Sequence, residues 1–397
     1  MIPAGQPIKL LDAHAHRSQP RRLPRVLLVV DSLDVGGAER HVCALVEALA
    51  ARGYIAAIAC STGGALADTL PASVAVHVLR DQLVKRRVSL PFAWALSRLL
   101  RRETFDLVHA HMYASGVASA LALLGSAVPL VLTEHSEAAW RGRQARWAGR
   151  WQYQRAAQVI AVSPAIRQRL VEQDGAPLEC TTVILNAIAA PHAPPGISAA
   201  VVAGPATGPR VGVVARLQPE KGVEYFLEAA ALVASHRRDV QFIVVGDGPL
   251  RQALPARARA LGISAQMHFL GFRLDAPSLI GALDLLVVPS LSEGTPLVIL
   301  EAMTAGVPVV ATAVGGIPAQ IRHEREGLLV PSGDPEALAQ AILRVLQAPA
   351  WARQLGDAGR QRVAAEFSQA RMLQQIEAVY DAALAGALVV PPPNGRS

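Results

Sequence analysis

The densest group of residues able to do chemistry lies in PSLSEGTPLVILEAMTAGVPVVATAVGG, residues 289–316. LLVVP closes an apolar strand, SLSEG reads as a loop, and Pro296 falls where a helix should begin, because proline is favoured at the first helical position. A helix over 297–305 then turns its N-terminus toward whatever the strand end faces. Glu293 stands on the loop and Glu301 inside the helix, eight positions later. A loop carboxylate can hold sugar hydroxyls, although capping and surface charge account for it equally well. A carboxylate about a turn and a half into a helix can accept two hydrogen bonds from a ribose diol. Surface charge explains Glu301 poorly, because it is embedded in LVILEAMTAGV, where an unpaired carboxylate is costly.

Other segments offer weaker signals. ARLQPEKGVEYF (215–226) places Arg216 and Lys221 past an apolar run and around the start of a helix, a natural clamp for a diphosphate or else a solvated surface pair. Lys221 is one of only three lysines, which adds to its interest. In DSLDVGGAERH (31–41), Gly36 and Gly37 let a backbone approach an anion at a helix start, or simply make a tight turn. GDGP, opening with Gly246, resembles part of a dinucleotide fingerprint, but Arg251 stands at the third glycine position, so no NAD site is indicated. His111 ends DLVHAH, as a ligand or as a packed histidine. Asp12, His14 and His16 in DAHAH have the look of a hydrolase metal strand, yet they lie in a polar leader.

These residues need a scaffold, and the apolar pattern supplies one. Strand-like runs at 25–30, 54–60, 74–79, 106–111, 129–135, 158–163 and 181–186 alternate with helical stretches such as 38–51, where Val42, Leu45, Val46 and Leu49 form one stripe. The charge-free, Pro/Gly/Ala-rich segment 190–209 reads as a linker. A second set follows at 210–215, 240–246, 267–270, 285–290, 307–312 and 327–330. The expected fold is α/β, two doubly wound Rossmann-like domains facing across a cleft, with ligands at the carboxyl ends of the strands. The division is a polar leader (1–24), a first domain (25–189), the linker, a second domain (210–350), C-terminal helices (351–385) and a tail (386–397).

Composition narrows the class. Of 397 residues, 52% are hydrophobic and 17% charged, which excludes overall disorder. The uncharged stretch 113–132 is broken by Gly125, Ser126 and Pro129 into helix, turn and strand, so it is not read as a membrane span. The leader lacks a secretory h-region, and Cys43, Cys60 and Cys180 form no C-x-x-C pair. A cytoplasmic location is the expectation.

Taken together, GGAER, VLTEHS, VIAVSPAIRQRL, VILNAI, VGVVARLQPEKGVEYFLEAA, FIVVGDGPLRQAL and SLSEGTPLVILEAMTAGVPVVATAVGGIP resemble glycosyltransferase family 4, retaining enzymes of GT-B fold, over residues 25–385. Glu293 and Glu301 match the family's E-x7-E pair. The resemblance implies hexosyl or N-acetylhexosaminyl transfer from a nucleotide-diphosphate sugar, UDP favoured over GDP, and a C-terminal helix that crosses back to the first domain. It implies that Arg216 and Lys221 bind the diphosphate, Glu301 the ribose, and Glu293 the transferred sugar. His135 matches a cleft histidine near that sugar. Gly36, Gly37, Gly294, Thr295, Pro296 and Leu297 would line the donor, with His111 and Gly246 as less secure members. Ala319 departs from the usual GGIPE. With no D-x-D motif present, catalysis is expected to need no cofactor and no metal. A non-catalytic sugar-nucleotide-binding protein and a metal-dependent hydrolase are the alternatives.

The charge is uneven. Residues 1–190 hold 21 Lys and Arg against 14 Asp and Glu, and residues 191–397 hold 17 against 17, so the net +7 lies in the first half. It concentrates in 84–103, an amphipathic basic helix in its second half, and in 140–157, where five arginines accompany Trp140, Trp147 and Trp151. Such a face suits an anionic membrane surface, or the tryptophans are core and the arginines solvated. A membrane surface would imply a lipid-linked acceptor in polysaccharide or glycolipid synthesis. No nucleic-acid module accompanies the charge.

Overall fold

The computed structural model describes residues 23–84, 88–136, 142–188, 208–273 and 275–387. The leader with Asp12, His14 and His16, most of the 190–209 linker, Trp140 and most of the tail lie outside the described residues.

Seven apolar runs of the first half form one parallel sheet. They are β1 (Arg25–Ser32), β2 (Ile55–Thr62), β3 (Ala75–Val78), β4 (Leu107–His111), β5 (Leu130–Glu134), β6 (Gln158–Ala161) and β7 (Thr181–Val183), in the order β3-β2-β1-β4-β5-β6-β7. Six of the second half form another: β8 (Arg210–Val214), β9 (Gln241–Val245), β10 (Met267–Gly271), β11 (Leu285–Val288), β12 (Val309–Thr312) and β13 (Gly327–Val330), ordered β10-β9-β8-β11-β12-β13. The central strands are near-continuous aliphatic runs because helices cover both faces; Val26 to Val30 are wholly buried. Each order reverses beside its first strand, between β1 and β4 and between β8 and β11. Crevices at such reversals are where α/β sheets bind ligands.

The helices of the first sheet are α1 (Gly37–Ala51), α2 (Leu90–Arg102), α3 (Tyr113–Ala122), α4 (Arg143–Arg155) and α5 (Pro164–Glu172). Those of the second are α6 (Val223–His236), α7 (Ala253–Ala260), α8 (Ala276–Ile280), α9 (Leu297–Ala305), α10 (Ile317–Gln320) and α11 (Pro335–Gln347). Two more, α12 (Pro349–Glu366) and α13 (Gln369–Ala387), end the described chain. α12 packs on α9, whereas α13 returns to the first sheet as the resemblance implied. Met372, Leu373, Ile376, Val379, Tyr380 and Ala383, spaced at three and four, are buried with Val26, Leu45 and Val131 of the first domain. At roughly 1.5–3 kcal/mol for each large side chain, that face anchors the crossing firmly.

Several strands stop earlier than the apolar pattern suggests, and local chemistry explains where. β11 ends at Val288, since Pro289 has no N–H to continue a ladder. β6 ends before Ser163, whose hydroxyl accepts from the Ile166 amide at 3.2 Å and caps α5. Pro296 proves to be the N-cap of α9 rather than its first residue, with φ −67° and ψ 121°. Residues 113–132 divide into α3, a turn and β5. Among the described residues no helix is long and apolar enough to cross a membrane.

Candidate active site

Past β8, Pro219–Lys221 form a short 3-10 turn that ends on Gly222 at φ +62°. A side chain there would strike the Pro289 carbonyl, so glycine lets the β8 and β11 loops touch. The contact delivers Lys221 to Glu293, Nζ to Oε1 at 2.7 Å. The Ser290 hydroxyl donates to the same oxygen at 2.8 Å. Lys221 and Glu293, assigned separate roles from the sequence, are thus one partly buried ion pair at the entry to α9. Arg216 stands apart, exposed, its guanidinium without a hydrogen bond or ion pair among the described residues. Gly246 follows β9 at φ +143°, its α-carbon tight against the Ala215 carbonyl.

Glu301 does have a partner, and it comes from the other domain. Arg40, on the first turn of α1, reaches across the cleft to place Nη1 2.8 Å from Glu301 Oε1. Burial raises the Glu301 carboxyl above the usual carboxylate range, and Arg40 opposes that shift. Gly36 caps α1 and Gly37 begins it, but the Glu39 carboxylate folds back over Gly36. The positive helix end expected to face an anion therefore already has a carboxylate beside it.

The domains meet around the loop before α9. Gly294 abuts the His135 carbonyl so closely that no Cβ would fit, and Gly316 abuts Gly294 in the same way. The Thr295 hydroxyl donates to the Val162 carbonyl at 2.6 Å, and the Asn186 amide donates to the Thr295 carbonyl at 3.3 Å. Pro296 and Leu297 carry this loop into α9. Ala319, the departure from the family pattern, gives its carbonyl to Arg362 at 2.9 Å.

Four histidines build the first-domain wall. His111 Nδ1 lies 3.1 Å from His135 Nε2, and the His41 ring is 5.6 and 5.0 Å from those two rings. The His109 ring lies tilted against His111, centroids 4.2 Å apart, and uses both nitrogens elsewhere, on the Tyr380 hydroxyl at 2.8 Å and the Thr133 hydroxyl at 2.7 Å. His41, His109 and His111 are buried, and His135 is half-buried at the cleft. Burial, aided by neighbouring imidazoles, lowers His41, His109 and His135 to about 3 and His111 well below its ordinary value. All four are neutral at physiological pH and offer uncharged donors and acceptors.

The structure thus gathers Lys221, Glu293, Gly294, Thr295, Pro296, Leu297 and Glu301 around the entry to α9, with His135 and His111 opposite. Sequence reasoning passed over Arg40 and His41, although both stand in DSLDVGGAERH. Their only signal was position, just after a glycine turn that opens a helix at a strand end.

The two basic segments also separate. On α2, Leu90 and Trp94 are 68% and 62% exposed, while Phe92, Leu96 and Leu99 face the core. On α4, Trp147 is 73% exposed, whereas Trp151 packs on the core with Arg155 over its ring. The expected tryptophan face is therefore divided at α4.

Two Rossmann-like sheets with facing switch points, bridged by a returning C-terminal helix, define the GT-B class of glycosyltransferases. Residues 35–190 match the description Glycosyltransferase Family 4, and residues 208–348 match Glycosyl transferases group 1. Alpha-D-kanosaminyltransferase of Streptomyces kanamyceticus is 31% identical over 311 residues, covering 72% of this chain and 80% of the relative. UDP-Gal:alpha-D-GlcNAc-diphosphoundecaprenol alpha-1,3-galactosyltransferase of Escherichia coli is 27% identical over 306 residues, covering 72% and 78%. Among solved structures, Anabaena HepE in complex with UDP and glucose aligns with a TM-score of 0.80 at 25% identity, covering 90% of this chain and 99% of that one. The chain belongs to glycosyltransferase family 4, and its activity is glycosyl transfer.

Proposed function

We propose that this chain transfers a sugar from a UDP-sugar, with retention of configuration and without a catalytic metal, to a lipid-linked or glycan acceptor. The observation that carries this reading is the placing of Glu293 and Glu301 about the entry to α9, one held by Lys221 and the other by Arg40. Glu301 receives the ribose diol, displacing Arg40. Lys221 and Arg216, with the first turn of α9, take the diphosphate. Glu293 then orders the sugar hydroxyls, and neutral His135 closes the far side. With Glu301 on the ribose and Glu293 on the sugar hydroxyls, neither carboxylate is left to form a covalent glycosyl-enzyme, which favours front-face attack with the departing diphosphate oxygen as base. Stabilising that leaving group is the main catalytic task, and the cations at the cleft do it electrostatically.

The acceptor side rests on charge and exposure. Leu90 and Trp94 of α2 and Trp147 of α4 are exposed apolar groups on the domain that carries the basic excess. Aromatic groups beside arginines suit an anionic headgroup layer. The protein then works at the cytoplasmic face of a membrane, in polysaccharide or glycolipid synthesis. The relative that acts on a diphosphoundecaprenol acceptor supports this reading.

A thermal-shift panel of UDP- and GDP-sugars tests the donor, because a ligand bound only to the folded state raises its stability. UDP-sugars are expected to raise the melting temperature most. A response to GDP-sugars alone overturns the choice of base, and no response to any overturns the donor site.

A further inference from the structure

We infer that His41, His111 and His135 form a site for a divalent transition metal of the zinc type, and that filling it blocks transfer. The three imidazoles come from separate elements, α1, the end of β4 and the residue after β5. One ring nitrogen of each lies within 4.8 Å of those of the other two. His111 Nδ1 and His135 Nε2, 3.1 Å apart, already approach the separation of about 3.3 Å that two nitrogens at ~2.05 Å from one tetrahedral zinc adopt. Imidazole nitrogen is a favoured ligand for zinc, copper and nickel.

The neighbouring ring shows why the set is three and not four. His109 spends both nitrogens on Tyr380 and Thr133, so it packs behind the His111 ring and offers no ligand. Three protein nitrogens match the ligand count of zinc sites that leave a fourth position to a non-protein ligand. A metal there takes the lone pair of His135, the residue placed against the transferred sugar. The blocking effect, unlike the binding, rests on that reading of the cleft.

Equilibrium dialysis of the full chain against Zn²⁺ alone tests the site. One tightly held equivalent is expected, retained when His14→Ala and His16→Ala are combined and lost in His41→Ala and in His111→Ala. Co²⁺ in the unsubstituted protein gives a second readout that needs no variant, the intense visible absorption of a four- or five-coordinate nitrogen site. Zinc that departs with the leader histidines, unchanged zinc in a folded His111→Ala protein, or only the weak spectrum of hydrated cobalt overturns the proposal. Zinc is also expected to suppress UDP release from a UDP-sugar donor, with EDTA restoring it. Zinc held by the triad without loss of turnover overturns the blocking effect and the assignment of His135 to the sugar, while the metal site stands.

Discussion

The two walls of the cleft solve the same problem in opposite ways. The second-domain wall pairs its carboxylates with cations, Glu293 with Lys221 and Glu301 with Arg40. The first-domain wall holds four histidines and keeps them neutral by burying them. A charged wall can select and stabilise an anionic leaving group, whereas a neutral one can contact sugar hydroxyls without competing for that anion. The pairing also limits cost, because an ion buried without a partner is far more expensive than one in a hydrogen-bonded pair.

The largest expected effect separates two cations on the charged wall. Lys221→Ala and Arg216→Ala should each lower transfer by about 10²-fold or more, the range seen when one preorganised donor to a developing anion is removed. Only Lys221→Ala should also lower the melting temperature, because it strands Glu293. Steady-state turnover read beside a melting curve checks both, and equal stability loss in the two variants would remove the distinction.

The two carboxylates should differ next. Glu301→Ala should weaken binding of UDP alone, while Glu293→Ala leaves UDP binding nearly intact and damages transfer. Calorimetry with UDP measures this, and the reverse pattern exchanges their roles. Arg40→Ala sharpens the test: freeing Glu301 of its competitor should tighten UDP binding, and weaker binding would overturn the role of Arg40 as a competitor.

Acid should strike the neutral wall first. Folded values near 3 lie below the ~6.5 of a free imidazole, so the unfolded chain takes up protons first as pH falls. The stability gained by keeping these rings neutral is full above about pH 6.5 and drains away toward about pH 3. The melting temperature should therefore drop between pH 7 and 5, and a flat profile would mean the wall accommodates protons.

The smallest effect on the fold lies outside the cleft. Trp147→Ala should barely alter stability but reduce binding to phosphatidylglycerol vesicles. Trp151→Ala should cost stability by up to about 3 kcal/mol, since its ring is only partly buried. Co-sedimentation over a salt series checks the first, because exposed attraction is screened over ~8–10 Å at ordinary ionic strength.

Much of this architecture is legible without coordinates, and for a local reason. Parallel strands covered on both faces must be apolar throughout, so RVLLVV or VQFIVVG announces itself, and glycines and prolines mark where each run ends. The E-x7-E spacing likewise sets one carboxylate before a helix and one within it. What tertiary structure alone decided is which of these groups meet. Lys221 and Glu293 are 72 positions apart, and Arg40 and Glu301 lie in different domains. The histidine wall depends on β4 lying beside β5 with His111 opposite Thr133. Trp147 and Trp151 share a helix and a spacing, yet only the packing of α4 on its neighbours leaves one in solvent and sets the other against the core. Periodicity fixes which face of an element is apolar; partners across a cleft are set by register, loop approach and domain docking, none of which leaves a mark within a single segment.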